Sequence, residues 1–159
     1  MTSISRLALV ATVIVGLAAT AGTARAQGGA TVSCDILEIS ATSSDKPSID
    51  ADLKPLEKKL KKKLFAAWNT FKLLSRTSKD LTQGKPETTT LTKGKATVLF
   101  RETDTSGKKV RIALTLTTED EKGKRLADTK VNIDSGDYIV IGRTLANDDG
   151  HLLALTCKP

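Results

Sequence analysis

Between Leu53 and Phe71 the apolar residues Leu53, Leu56, Leu60, Leu64, Trp68 and Phe71 recur at spacings of three and four. That spacing predicts one helix with a single apolar stripe. Asp50 or Asp52 stands where a side chain caps the first free amides, and Pro55 falls in the first turn, where no amide donor is needed. Phe65, Trp68 and Phe71 lie in the C-terminal half of this segment, which is therefore expected to anchor the helix in the core.

Elsewhere the period is two. Thr31 to Ile39 predicts a strand that becomes apolar on both faces toward its end, and Ala41 to Ser48 is a loop rich in Ser, Asp and Pro. After the helix, Phe71–Arg76 reads as a short strand and Glu87–Thr92 as an edge strand. Ala96, Val98 and Phe100 alternate with polar positions, Asp104-Thr105-Ser106-Gly107 makes a hairpin loop, and Val110 to Thr117 is the cleanest alternation in the chain. Leu126–Ile133 is a strand whose parity slips between Leu126 and Val131, which predicts a bulge. Tyr138–Ile141 follows the turn at Gly136, and the last strand places Leu153, Leu155 and Cys157 on one face. The expectation is a mainly β (α+β) fold: an antiparallel sandwich or barrel of about seven or eight short strands, with one amphipathic helix inserted after the first.

The start of the chain has a different pattern. Arg6 is the only charge in the first 24 residues, Leu7–Ala19 is almost wholly apolar, and Ala24-Arg25-Ala26 follows. A basic start, an apolar stretch and a small-x-small exit predict a secretory signal peptide over 1–26, cleaved near Ala26. The competing reading, an uncleaved anchor, needs ~20 apolar residues to span a bilayer, more than this stretch holds. Thr-Val-Ser before Cys34 is a poor lipobox, so a chain starting near Gln27, with no transmembrane segment after cleavage, is expected. Its destination is periplasmic or secreted, and residues 27–159 suit one domain.

Cys34 and Cys157 are the only cysteines. In an oxidising compartment a pair is read as a bridge, with free or intermolecular thiols as the alternative. The bond would close nearly the whole domain, and chain entropy credits so long a loop with ~4–5 kcal/mol at most.

The formal net charge is +7, of which Arg6 and Arg25 of the leader supply two. The excess gathers in Lys58, Lys59, Lys61, Lys62 and Lys63, on the helix face opposite Leu56, Leu60 and Leu64. One reading is a cationic surface that meets anionic lipid, glycan or an acidic partner; the other is a solvated face whose long stems cover apolar surface. No nucleic-acid partner is expected, because the aromatics follow the apolar stripe instead of interleaving with the lysines for base stacking.

No residue set reaches a catalytic claim. His151 is the single histidine and sits beside Asp149, but no local motif marks a serine or cysteine nucleophile. Asn147-Asp148-Asp149-Gly150 runs straight into an apolar strand, so it reads as a hairpin turn and not a calcium loop. There is no Gly-rich phosphate loop, and no cofactor or metal set is expected.

The Leu56–Phe71 stripe, FKLLS at Phe71–Ser75, the Gly84-Lys85-Pro86 turn and the Gly136-Asp137 step into Tyr138–Gly142 resemble the layout of small uncharacterised exported bacterial proteins. That resemblance implies a helix-plus-sandwich domain and no particular activity. The functional expectation is an exported, non-catalytic binding protein. Its alternatives are an accessory subunit of a cell-envelope assembly that pairs with a protein through a sandwich face or an edge such as Glu87–Thr92, and a small hydrolase.

Overall fold

The structure, a computed structural model, describes residues 29–159. The expected leader and its cleavage point lie outside these residues.

Among the described residues nine strands form two sheets. They are β1 (Thr31–Thr42), β2 (Ser48–Ile49), β3 (Thr70–Thr82), β4 (Pro86–Leu91), β5 (Gly94–Asp104), β6 (Arg111–Glu119), β7 (Arg125–Asp134), β8 (Tyr138–Thr144) and β9 (Gly150–Lys158). The first sheet runs β2-β3-β1-β9-β8 and the second β4-β5-β6-β7. All pairings are antiparallel except the two-residue β2 against β3. The fold is mainly β, a sandwich with a short helical segment after the first strand, as the periodicity predicts.

The sandwich interior is a direct product of alternation. Val32, Cys34 and Ile36 of β1 and Leu153, Leu155 and Cys157 of β9 face Val98, Phe100, Ile112, Leu114, Val131 and Ile133 of the second sheet. The opposite face of the first sheet is also buried. There Leu37, Ile39, Ala41, Phe71, Leu152 and Ala154 pack against Leu53, Leu56, Leu60 and Phe65 of the helical segment. This second cover explains why β1 and β9 are apolar at successive positions: both of their faces are inside.

The helical segment itself departs from the expected long helix. A 3-10 turn at Ala51–Leu56 leads into α1 (Glu57–Leu60), then a second 3-10 turn follows at Lys63–Phe65. Lys62 is extended (φ −71°, ψ 156°), which breaks the stripe after Leu60. Leu53, Leu56 and Leu60 are buried as predicted, but Leu64 is 78% exposed and Phe65 turns inward in its place. Short helices are marginal on their own, and at its far end the pairing of β3 with β1 draws Thr70 and Phe71 into the sheet. Asp50 does not cap through its side chain; its Oδ2 instead accepts the Leu73 amide at 2.8 Å on β3. Strand β3 also runs six residues past the predicted Arg76, through a polar stretch whose side chains alternate between half-buried and exposed.

Bulges set the register. Glu38 pairs with Ser75 and Ile39 with Leu73, so Leu74 is the extra residue on β3. Thr118 pairs with Ala127 and Glu119 with Arg125, so Leu126 is the extra residue on β7, where the parity slip predicts a bulge. Both leucines are 40% exposed.

Cys34 and Cys157 stand directly opposite in the β1–β9 pairing, with Cα atoms 4.1 Å apart, and form the expected disulfide across 123 residues. No helix among the described residues is long and apolar enough to cross a membrane.

Candidate functional site

Two surfaces carry chemistry: the lysine segment and the end of the sandwich around His151.

The five lysines do not share one helical face, because the helix is only four residues long. Lys59 is committed to the fold. Its Nζ donates to Asp137 Oδ2 at 2.9 Å and to the Tyr138 carbonyl, tying α1 to the start of β8. That hydrogen bond, with the Lys59 charge, holds the Asp137 carboxyl below its usual pKa. Lys61 bonds Glu57 at 2.6 Å and lowers the pKa of that exposed carboxyl. Lys58, Lys62 and Lys63 have no carboxylate partner among the described residues and are exposed. Leu64 follows them directly and projects into solvent. The unit is thus a lysine-bearing turn with an apolar tip. Trp68 fixes its base: the indole Nε1 donates to the Asp148 carbonyl at 2.8 Å, and the ring lies where a Cβ on Gly150 would meet it at 2.8 Å.

At the sandwich end, Glu38 continues the inward parity of Val32, Cys34 and Ile36 and is wholly buried. Its Oε1 lies 2.7 Å from His151 Nε2 and accepts the Lys93 amide at 3.1 Å. Its Oε2 accepts the Thr92 amide at 2.8 Å and the Ser75 hydroxyl at 3.0 Å. Burial works to raise the carboxyl pKa, but the Thr92 amide, His151 and Ser75 together outweigh it, and the result is a lowered value. An ionised carboxylate only accepts, so His151 Nε2 is the donor of this pair. Thr92 and Lys93 belong to the β4–β5 turn, so one carboxylate of the first sheet clasps the second. The turn depends on Gly94, whose φ is +112° and whose Cβ would lie 1.9 Å from the Glu119 carbonyl.

His151 therefore pairs with Glu38, 113 residues away, and not with its neighbour Asp149, which bonds Asn147 at 2.6 Å. Asn147-Asp148-Asp149 lie in the β8–β9 turn, 145–149, as expected, with Asp148 at φ 65°. Among the described residues no group of three or more metal-ligating side chains converges. Both Glu38 oxygens are occupied, so the carboxylate is arranged as a clasp between the two sheets.

His151 lines two depressions. One, about 280 Å³, lies between the sheets and is walled by Leu91, Leu126, Ile141 and Leu153, with Lys93, Arg143 and Glu119 at its rim. The other includes Leu74 and Asp149. Each depression thus receives one of the two bulge leucines.

Glu38 is legible only indirectly, as the one charge of β1 at a core-facing parity, Asp35 lying at the other parity. No local pattern could couple it to His151.

Comparison of the chain with protein-family models, with curated proteins and with solved structures gave no match.

Proposed function

We propose that this is an exported, non-catalytic binding protein that docks reversibly on anionic lipid surfaces through the Lys58–Leu64 turn. The observation that carries the reading is Leu64, a large apolar side chain 78% exposed beside Lys58, Lys62 and Lys63. A purely solvating lysine face has no use for a protruding leucine. An anionic bilayer satisfies both parts, because lysines near its surface contribute about 1 kcal/mol each and a buried leucine roughly 1.5–3 kcal/mol. That sum supports a peripheral, salt-sensitive contact and not a permanent anchor. A glycan offers charge but no apolar phase, so the leucine favours lipid.

Export by a leader cleaved near Ala26 fits the Cys34–Cys157 bond, which persists in oxidising compartments such as the periplasm or the cell exterior.

The edge-strand alternative has a weaker footing. Strand β4 does lie at a sheet edge. Lys79 Nζ, however, donates to the Thr88 carbonyl at 2.9 Å and lies 3.4 Å from Glu87, so part of that edge is already engaged.

The test is co-sedimentation of the oxidised protein with phosphatidylglycerol and with phosphatidylcholine vesicles at low and high salt. Binding to the former alone, lost at high salt, supports the reading. Equal binding to both, or none, overturns it.

A further inference from the structure

The cleft beside His151 has an occupant chemistry of its own, independent of the membrane reading. Strands β7 and β8 are edge strands of opposite sheets and do not pair with each other. The sandwich is therefore open between them, and the opening is the cleft of about 280 Å³.

Its walls are aliphatic. Leu91 and Leu153 are buried, Ile141 is half-buried, and Leu126 contributes from the β7 bulge. In an uninterrupted strand a residue skipped by the pairing has no place; here the bulge turns Leu126 to the cleft, the use to which bulges beside binding sites are put.

Charge is confined to the rim. Lys93 and Arg143 face Glu119, and Asp120 lies within Coulombic reach of Arg143. Glu38 adds nothing to the opening, since it is fully buried and its oxygens accept from Thr92, Lys93, Ser75 and His151. Arg143 Nη2 lies 3.5 Å from the Lys93 carbonyl, which places the guanidinium across the gap between the sheets. A half-exposed guanidinium held this loosely keeps most of its donors for a ligand.

We infer that the cleft binds a small amphipathic carboxylate, a free medium-chain fatty acid, with its tail against Leu91, Leu126, Ile141 and Leu153 and its carboxylate on Arg143 and Lys93. Size decides against larger lipids. At about 280 Å³ the cleft has room for a single short acyl chain and not for both chains of a phospholipid. The volume lies at the lower limit of ligand pockets, and the mostly apolar wall with a few convergent polar groups is their usual composition. The Glu38 clasp keeps the β4–β5 turn, and with it Lys93 and Leu91, in place before the ligand arrives.

The experiment is calorimetric titration of the folded, oxidised protein with decanoate, and with decanol and decyltrimethylammonium as controls of equal tail length. Decanoate should bind at least tenfold more tightly than either control. Arg143→Gln should remove that preference while leaving the thermal midpoint unchanged. Leu126→Asp, at a bulge position 40% exposed and outside the strand pairing, should abolish binding of all three. No decanoate binding, or a preference for decanoate that survives in Arg143→Gln, overturns the proposal. Because the lysine turn is untouched, either result leaves vesicle binding to be judged separately.

Discussion

Glu38 and His151 are separated by 113 residues in the chain and by 2.7 Å in the fold, where they join the central strand of one sheet to the first residues of the adjoining strand β9. The same carboxylate takes two amides from the β4–β5 turn of the other sheet. One buried charge thus fixes the relative position of the two sheets at the end of the sandwich where the cleft opens.

Glu38→Ala should therefore be far more damaging than an average substitution. It leaves the amides of Thr92 and Lys93 and the ring of His151 without their shared acceptor. A buried donor left without its acceptor costs about 1–3 kcal/mol. Urea unfolding should show a stability loss of at least that size; a loss under about 1 kcal/mol, the average for any point change, would contradict the clasp.

The same group sets an acid limit. Its folded-state pKa lies below that of an unfolded glutamate, about 4.3. Stability from Glu38 is thus fully present above the unfolded value and is lost as pH falls through the lowered folded value. Asp35, held down by Ser78 and Arg76, and Asp137, held down by Lys59, add to the same trend. Stability should be flat from pH 7 to about 5 and fall steeply below about 4. In Glu38→Gln the fall should be shallower; an identical slope would remove Glu38 as its source.

Leu60 and Leu64 are four residues apart and belong to one apolar stripe by spacing, yet one is buried and the other bare. Leu60→Ala should cost about 2–5 kcal/mol, as for a core leucine. Leu64→Ala should stay within about 0.5 kcal/mol, as for a surface site. Equal costs in thermal unfolding would mean that the stripe continues as a helix through Leu64.

The contrast shows how far the chain could be read. Alternation located the strands around Val98, Leu114 and Leu155, because each buries every second residue against the other sheet. The slip at Leu126 announced its bulge, and the parity of Cys34 with Cys157 agreed with their bond. Helical spacing failed after Leu60 because spacing reports where apolar groups lie, not whether the chain can keep turning; extended Lys62 and the competing pairing of β3 ended it. The polar half of β3 gave no apolar alternation to detect. Of the candidate surfaces, the lysine run is plain in the sequence, but its exposed leucine is not, since the same spacing places Leu64 in the core. Glu38 and His151 meet only through the pairing of the first and last strands, a relationship no local window contains.

The most direct test of the docking turn is the emission of Leu64→Trp with phosphatidylglycerol vesicles at low salt, after subtracting the signal of the native protein and its single Trp68. Insertion of position 64 into the bilayer predicts a blue shift that reverses at high salt and is absent with phosphatidylcholine. An unshifted spectrum in the presence of bound vesicles would show that the turn does not enter the membrane and would contradict the account.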